Sequence, residues 1–378
     1  MGRSRDTEYD VIIVGSGPAG ISTAIHLIKL IPSIRNRLIV LEKESHPRKK
    51  ICGGGISVYA DYWLQRLGIQ MTIASLTVKK TRIVLDQGGY VEYCLDSGGL
   101  RTVKREEFDE ALVLAALDRG ITVVQNEPVI SFSYSDEAVV VQTPQRSLTA
   151  RVLVGADGAQ SIIRKKIYRN MGQRGPKNAC MTLRFMTHVD SLNLSDQRQP
   201  EAVIDFSCTF RRGIRGYAWS FPVIIHGQAW LNTGVGGFST SHKKGPLLRE
   251  ILADFLAARG ISLDEGRIEG CLLRWFHPAS IFSANRVLLV GDAAGVDPLW
   301  GEGISFSLGY GHVAADAIVR ALKSEDFSFT TYKDQLLEHE IGQELMNRLQ
   351  WAGKLYHPHK TENVRDLLLS LLVPRRNG

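Results

Sequence analysis

The stretch that most restricts the fold is Gly15-Ser16-Gly17-Pro18-Ala19-Gly20. This G-x-G-x-x-G set follows the apolar run Val11-Ile12-Ile13-Val14 and precedes a helical pattern through Ile21, Ala24, Ile25 and Ile28. A glycine-rich turn between a buried strand and a helix leaves backbone N–H groups free at the positive end of the helix dipole, which suits a pyrophosphate. Leu38-Ile39-Val40-Leu41 then reads as a second parallel strand. It ends at Glu42, about 20 residues past the last glycine, where a carboxylate accepts from a ribose hydroxyl. Taken alone, the stretch allows NAD, FAD or a turn that only packs strand tightly on helix.

The 378 residues leave room for about two domains, and 44% apolar residues suit a globular chain. The net charge of +7 is dispersed rather than gathered into a basic stripe, which argues against nucleic acid as a partner and is compatible with an acidic membrane surface or an anionic substrate. Cys52, Cys94, Cys180, Cys208 and Cys271 are odd in number and lack C-x-x-C spacing, so neither a disulfide framework nor a metal site is expected, and a reducing compartment is. The polar start, Met1 to Asp10, does not read as a signal peptide, and no apolar run reaches the roughly 18 residues of a membrane span. The expected location is cytoplasmic, either free or peripheral to a membrane.

Further along, Ile51-Cys52-Gly53-Gly54-Gly55-Ile56 puts three glycines ahead of a helix through Tyr62, Trp63, Leu64 and Leu67, allowing a close backbone approach. Thr77 to Leu85 and Tyr90 to Leu95 read as a hairpin, and Arg105 to Arg119 as an amphipathic helix. Ile121 to Gln125 reads as a third parallel strand. Val129 to Tyr134, Glu137 to Thr143 and Ser147 to Val154 read as an antiparallel excursion, because their connections are too short for crossovers.

Beyond a Gly/Pro-rich connection at 171–177, Met181 to Val189, Ala202 to Thr209, Tyr217 to Ile225 and Ala229 to Val235 are strand-like, with a helix over Pro246 to Arg259. Asn232 to Gly237 reads as a strand end kept small for close packing. Arg286 to Val290 is a strand, Gly303 to Leu322 a long helix, and Phe329 to Val373 helical. The last helix carries Val364, Leu367, Leu368, Leu371 and Leu372 on one face, as core or as an interfacial membrane helix.

Two later stretches repeat the chemistry of the first. Val154-Gly155-Ala156-Asp157-Gly158 and Gly291-Asp292-Ala293-Ala294-Gly295 each set a strand end, a glycine turn and an aspartate at the carboxyl edge of a sheet, where doubly wound folds bind ligands. Together the three stretches resemble the FAD-dependent oxidoreductases of the glutathione-reductase-like, p-hydroxybenzoate-hydroxylase-type fold. Within them the chain is most similar to the geranylgeranyl reductases. That resemblance rests on Lys50 to Ile56, on Arg105-Glu106-Glu107-Phe108-Asp109, on Tyr217-Ala218-Trp219-Ser220-Phe221-Pro222, and on Gly291 to Gly295 continuing through Pro298 to Gly301-Glu302-Gly303-Ile304.

The resemblance implies an α/β fold. A discontinuous Rossmann-like FAD-binding domain, with a parallel sheet and antiparallel excursion, would take 1–75, 101–177 and 271–330. A mainly antiparallel substrate domain would take 76–100 and 178–270, and a C-terminal helical segment 331–378. It also implies FAD-dependent reduction of isoprenoid double bonds. Gly15, Gly17, Ala19 and Gly20 would lie on the pyrophosphate, Glu42, Lys43 and Val129 toward the adenosine, and Arg105, Asp157, Gly158, Gly291 and Asp292 along the phosphates and ribityl chain. Cys52, Gly53, Gly55, Pro298, Gly301, Gly303 and Ile304 would lie along the flavin.

Tyr217, Trp219 and Phe221 alternate along one strand and share a face, which with Trp300 makes an aromatic wall for an apolar substrate. Cys52, Tyr217 and Trp219 are the catalytic candidates. Plainer roles stand beside these: Asp157 as a helix cap, Arg105 as a solvated first-turn residue, Cys52 as a small spacer and the aromatic strand as sheet core. NAD(P)H, ferredoxin or a reduced quinone would serve as transient electron donor, since no second strand–GxGxxG–helix unit is present. An oxygen-using hydroxylase, epoxidase or halogenase, and a flavin-free prenyl carrier, are the rival readings of the same scaffold.

Overall fold

A computed structural model describes residues 8–85, 89–94, 99–188, 201–239 and 247–356. The opening strand, Tyr9–Val14, is buried along its apolar run and pairs in parallel with Leu38–Leu41 on one side and Ser147–Gly155 on the other. Thr122–Val124 and Val287–Leu289 extend the parallel sheet at its two sides. The antiparallel excursion forms as Ser131–Tyr134, Val139–Gln142 and Ser147–Gly155, so the last strand serves both systems.

The central strands of this sheet, over 11–14, 38–41, 152–154 and 287–289, are apolar and buried because helices cover them. Pro18–Leu30 and the long Ile304–Ser324 pack closely on one another. Gly311 makes that approach possible: a Cβ there would meet Ser22 Cβ at 2.5 Å, and Ser22 Oγ donates to the Leu308 carbonyl.

A second sheet of seven strands runs in the order Ile268–Arg274, Ala179–His188, Gln228–Ser239, Ile214–Ile225, Glu201–Asp205, Lys80–Val84 and Tyr90–Cys94. A third, small sheet joins Gly55–Ser57, Leu100–Val103 and Ser75–Val78. The chain is thus an α/β protein with one largely parallel sheet, a mainly antiparallel seven-stranded sheet in which only Glu201–Asp205 and Lys80–Val84 pair in parallel, a small antiparallel sheet and C-terminal helices. The strand Ile268–Arg274 straddles the domain border expected at 270/271.

Several local expectations need correction. Thr77 to Leu85 is not one hairpin arm, since the chain changes sheet at Lys79 and only Lys80–Val84 pairs with Tyr90–Cys94. Ala202 to Thr209 stops being a strand at Asp205, whose Oδ1 accepts from Ser207 N at 2.7 Å and starts the short helix Ser207–Arg212. Asn232 to Gly237 is strand interior, not a strand end. The tail forms Tyr332–Glu338 and Glu340–Leu355, and the expected last helix around Val364 to Leu372 lies outside the described residues. No helix among the described residues is long and apolar enough to cross a membrane.

Candidate active site

The three opening glycines divide the work. Gly15 has φ +104°, and a Cβ there would press on the Ala156 backbone; Gly20 packs its Cα against the Gly15 carbonyl. These two hold strand to helix. Gly17 instead lines the cavity, with only Arg48 Nη2 near it, 3.4 Å from a built Cβ. The helix it precedes starts at Pro18 with no side-chain cap and no acidic residue in its first turn, so its free N–H groups point outward as a positive end.

Glu42 is buried beside them. It accepts from Ser16 N at 3.0 Å, Ser16 Oγ at 2.8 Å and Glu44 N at 3.2 Å, with Arg48 Nε at 3.5 Å. Burial alone would raise its pKa, but Arg48 and the Ser16 donors outweigh that and hold the carboxyl below its usual range. Arg105 is not a solvated first-turn residue: it is buried and bonds Asp109 through Nε at 3.0 Å and Nη2 at 3.1 Å. Arg48 reaches the same Asp109 at 3.2 Å. Two guanidiniums thus share a fully buried carboxylate beside the glycine loop. From the sequence Arg48 has no assigned role and Asp109 stands only within the Arg105–Asp109 stretch, although its i+4 position from Arg105 is where helical ion pairs form.

Asp157 combines both roles considered for it. Its Oδ2 accepts from Ile162 N at 2.8 Å and Ile163 N at 3.3 Å, while its Oδ1 is buried with no partner. Burial raises its pKa against these bonds. Asp292 lines the same cavity with Lys50 Nζ 3.8 Å away, whereas Gly291 lies behind the wall, where a Cβ would meet Ala19 Cβ at 2.7 Å. Gly20 and Gly291 therefore support the wall, and every other residue expected on the cofactor or substrate lines it.

That cavity measures about 1150 Å³ and runs from Glu42, Lys43 and Val129, past the glycine loop and Asp157, to Cys52–Gly55 and Gly301–Ile304. It exceeds the roughly 300–1,000 Å³ usual for a single small ligand. An uncapped helix end, an open Gly17, an orphaned Asp157 oxygen and this length fit FAD in an extended form.

At the far end the seven-stranded sheet is the floor. Strand register aligns Trp219 with Gly234 and Arg184, and Tyr217 with Gly236 and Thr182, on one face. A Cβ on Gly234 would collide with the Trp219 indole, so the glycine lets the ring lie across the strands. The segment from Lys49 to Gly55 is stapled to this floor: Lys49 pairs with Glu269, Cys271 Sγ donates to Ile51 O at 3.5 Å, and Asn232 Nδ2 donates to Cys52 O at 2.8 Å and Gly53 O at 3.0 Å. Gly53 comes within 3.4 Å of Phe221 and Trp219, measured from a built Cβ. Cys52 is half-buried, its Sγ accepting from Gly54 N at 3.4 Å.

Tyr217 donates its hydroxyl to the Trp300 carbonyl, and burial pushes its phenol pKa far up. Tyr356 does the same to Leu299 O at 2.7 Å. Both hydroxyls are therefore committed to fixing the loop opposite the floor. Glu302 is equally committed, to Ser57, Ser305 and Arg348. Beyond the loop the cavity continues into an aromatic chamber lined by Ile204, Tyr217, Trp219, Phe221, Leu349 and Tyr356, closed by helix Glu340–Leu355. Periodicity marked this helix but gave no sign that it walls the site.

Comparison with known proteins adds three findings. The model of the FAD binding domain family matches residues 8–218. A menaquinone reductase of Mycobacterium tuberculosis is 26% identical over 83% of this chain and 78% of its own length, and digeranylgeranylglycerophospholipid reductase 1 of Methanopyrus kandleri is 27% identical over 86% and 84%. Among solved structures, a geranylgeranyl bacteriochlorophyll reductase-like protein of Thermoplasma acidophilum superposes with a TM-score of 0.75 at 20% identity, covering 92% of this chain and 88% of that one.

Proposed function

Because this chain belongs to the FAD binding domain family and is an FAD-dependent oxidoreductase, we propose that it saturates carbon–carbon double bonds in the isoprenoid chain of a lipid or quinone-like substrate. The observation that carries this reading is the aromatic chamber continuous with the cofactor channel, whose charged neighbours are already paired. When bound, FAD supplies a hydride equivalent to the substrate.

The residues of the chain do the rest. Gly17, Ala19 and the N-terminus of helix Pro18–Leu30 hold the pyrophosphate, and Glu42 the adenosine ribose. Asp157, through its free Oδ1, and Asp292 hold the middle of the cofactor. The N-terminus of helix Ile304–Ser324 lines the far end of the cavity and would present a partial positive charge to the flavin, which would favour the reduced form. Trp219, Phe221 and Tyr217 present flat apolar surface to the substrate chain and exclude water from it. The relatives named as reductases of isoprenoid-bearing molecules support this substrate class. The electron donor is a transient one, either NAD(P)H, ferredoxin or a reduced quinone.

The test is anaerobic. FAD-loaded protein with dithionite and a geranylgeranyl lipid should yield product heavier by pairs of hydrogens. Product formed only when dioxygen is admitted, carrying labelled oxygen, would assign the chain to oxygenase chemistry instead.

A further inference from the structure

Helix Glu340–Leu355 forms ion pairs with the loop ahead of Ile304 through Arg348. Arg348 Nη1 lies 2.5 Å from Asp297 Oδ2 and 3.0 Å from Glu302 Oε2, its Nε lies 2.8 Å from Glu344 Oε1, and its guanidinium sits 4.8 Å over the Phe306 ring. Asp297 is fully buried and organises the loop itself, accepting from the N–H groups of Leu299 at 2.7 Å, Trp300 at 3.2 Å and Glu302 at 3.3 Å. Among the described residues Arg348 is the one cation ion-paired with either carboxylate.

Without that cation two carboxylates would stand uncompensated at the N-terminus of Ile304–Ser324. A buried charge stripped of its partner is strongly unfavourable, and its field would cancel the positive end of the helix. Burial already pushes the Asp297 carboxyl upward, with Arg348 opposing that rise. The ion pairs also tie the loop to the helix that contributes Leu349, Ala352 and Gly353 to the chamber wall.

We propose that Arg348 is a positioning residue for the flavin: by neutralising Asp297 and Glu302 it keeps the start of helix Ile304–Ser324 electropositive and thereby raises the reduction potential of the bound cofactor. The inference rests on the flavin placement given above. A role confined to stability would not move the potential, so potential is the readout.

The experiment compares FAD-loaded full-length protein with Arg348→Lys, Arg348→Met and Arg348→Met/Glu302→Gln, measuring potential by anaerobic dye equilibration, FAD affinity by fluorescence and melting temperature. Arg348→Met should shift the potential negative by about the equivalent of a tenfold loss in relative affinity for reduced flavin, about 30 mV for a two-electron couple. Arg348→Lys should fall between, and the double variant should return toward the parent. Parental potential in Arg348→Met with FAD bound would overturn the inference.

Should Arg348→Met fail to take up FAD, Glu302→Gln alone decides, because removing a carboxylate while keeping the arginine should shift the potential positive; an unchanged value there overturns it equally. No substrate is present in these measurements, so their failure leaves the isoprenoid reading to its own anaerobic assay.

Discussion

The two ends of the cavity are built on opposite plans. At the adenosine end, Glu42, Arg48, Arg105 and Asp109 form a closed set of ion pairs around a loop in which Gly15 and Gly20 admit no side chain. At the chamber end, the surface is aromatic, and its polar groups face away from the space, into the Trp300 and Leu299 carbonyls and the Arg348 cluster. A charged, tightly specified end suits a ligand that never changes, while an apolar and shape-defined end suits selection among substrates. The first end draws on residues 15–20, 42–48 and 105–109, and the second gathers residues from 204 to 356.

The sharpest way to break this contrast is Gly15→Ala. With φ +104° and the Ala156 backbone against a built Cβ, it should lose FAD binding and about 3 kcal/mol of stability, read by FAD titration and urea unfolding. Parental FAD affinity would mean that the adenosine end is less exacting than its geometry indicates. Gly234→Ala addresses the other end. The added methyl meets both the Trp219 indole and the Leu183 carbonyl, so a stability loss of about 1–3 kcal/mol and a fall in substrate turnover are expected while FAD affinity stays parental. A parallel fall in FAD affinity would join the two ends into one unit.

A third effect, modest over any single pH unit, is on pH, at the seam between the two plans. His26 on helix Pro18–Leu30 lies 4.9 Å from His312 on the long helix, and His312 lies 5.3 Å from His339, which accepts from Ile341 N at the start of Glu340–Leu355. Lys29, Arg66, Asp316 and Glu340 surround them. Burial, with His312, Lys29 and Arg66 adding to it, lowers the His26 pKa from 6.5 to about 3. The unfolded chain therefore binds more protons between those values, and stability rises with pH across the window. Acidification from about 6.5 should cost about 1.4 kcal/mol per pH unit from this group, and urea unfolding against pH would show it. A flat profile over that range would remove the histidine seam from the account.

What the sequence disclosed follows the same division. The strand–glycine–helix unit at Tyr9–Leu30 and the strand ending at Glu42 are local patterns, and their spacing carried their chemistry. Asp157 was ambiguous because one carboxylate has two oxygens, and only the fold shows one capping and the other free. Arg48 sits in a polar connection that resembles any solvated loop, so its approach to Gly17 had no local signal. Arg348 lies on, and Tyr356 just past, a helix whose periodicity reports burial but not what the buried face touches. The change of sheet at Lys79 was hidden for a similar reason, since two consecutive strands alternate just as one long strand does.

The most direct test is a structure of the FAD-loaded protein with a fully saturated geranylgeranyl analogue, which binds without reacting. The isoalloxazine should lie between Cys52–Gly55 and Gly303–Ile304, and the saturated chain along Trp219, Phe221 and Ile204 under Tyr356. A flavin ring seated away from Gly303, or a chain lying outside that chamber, would contradict it.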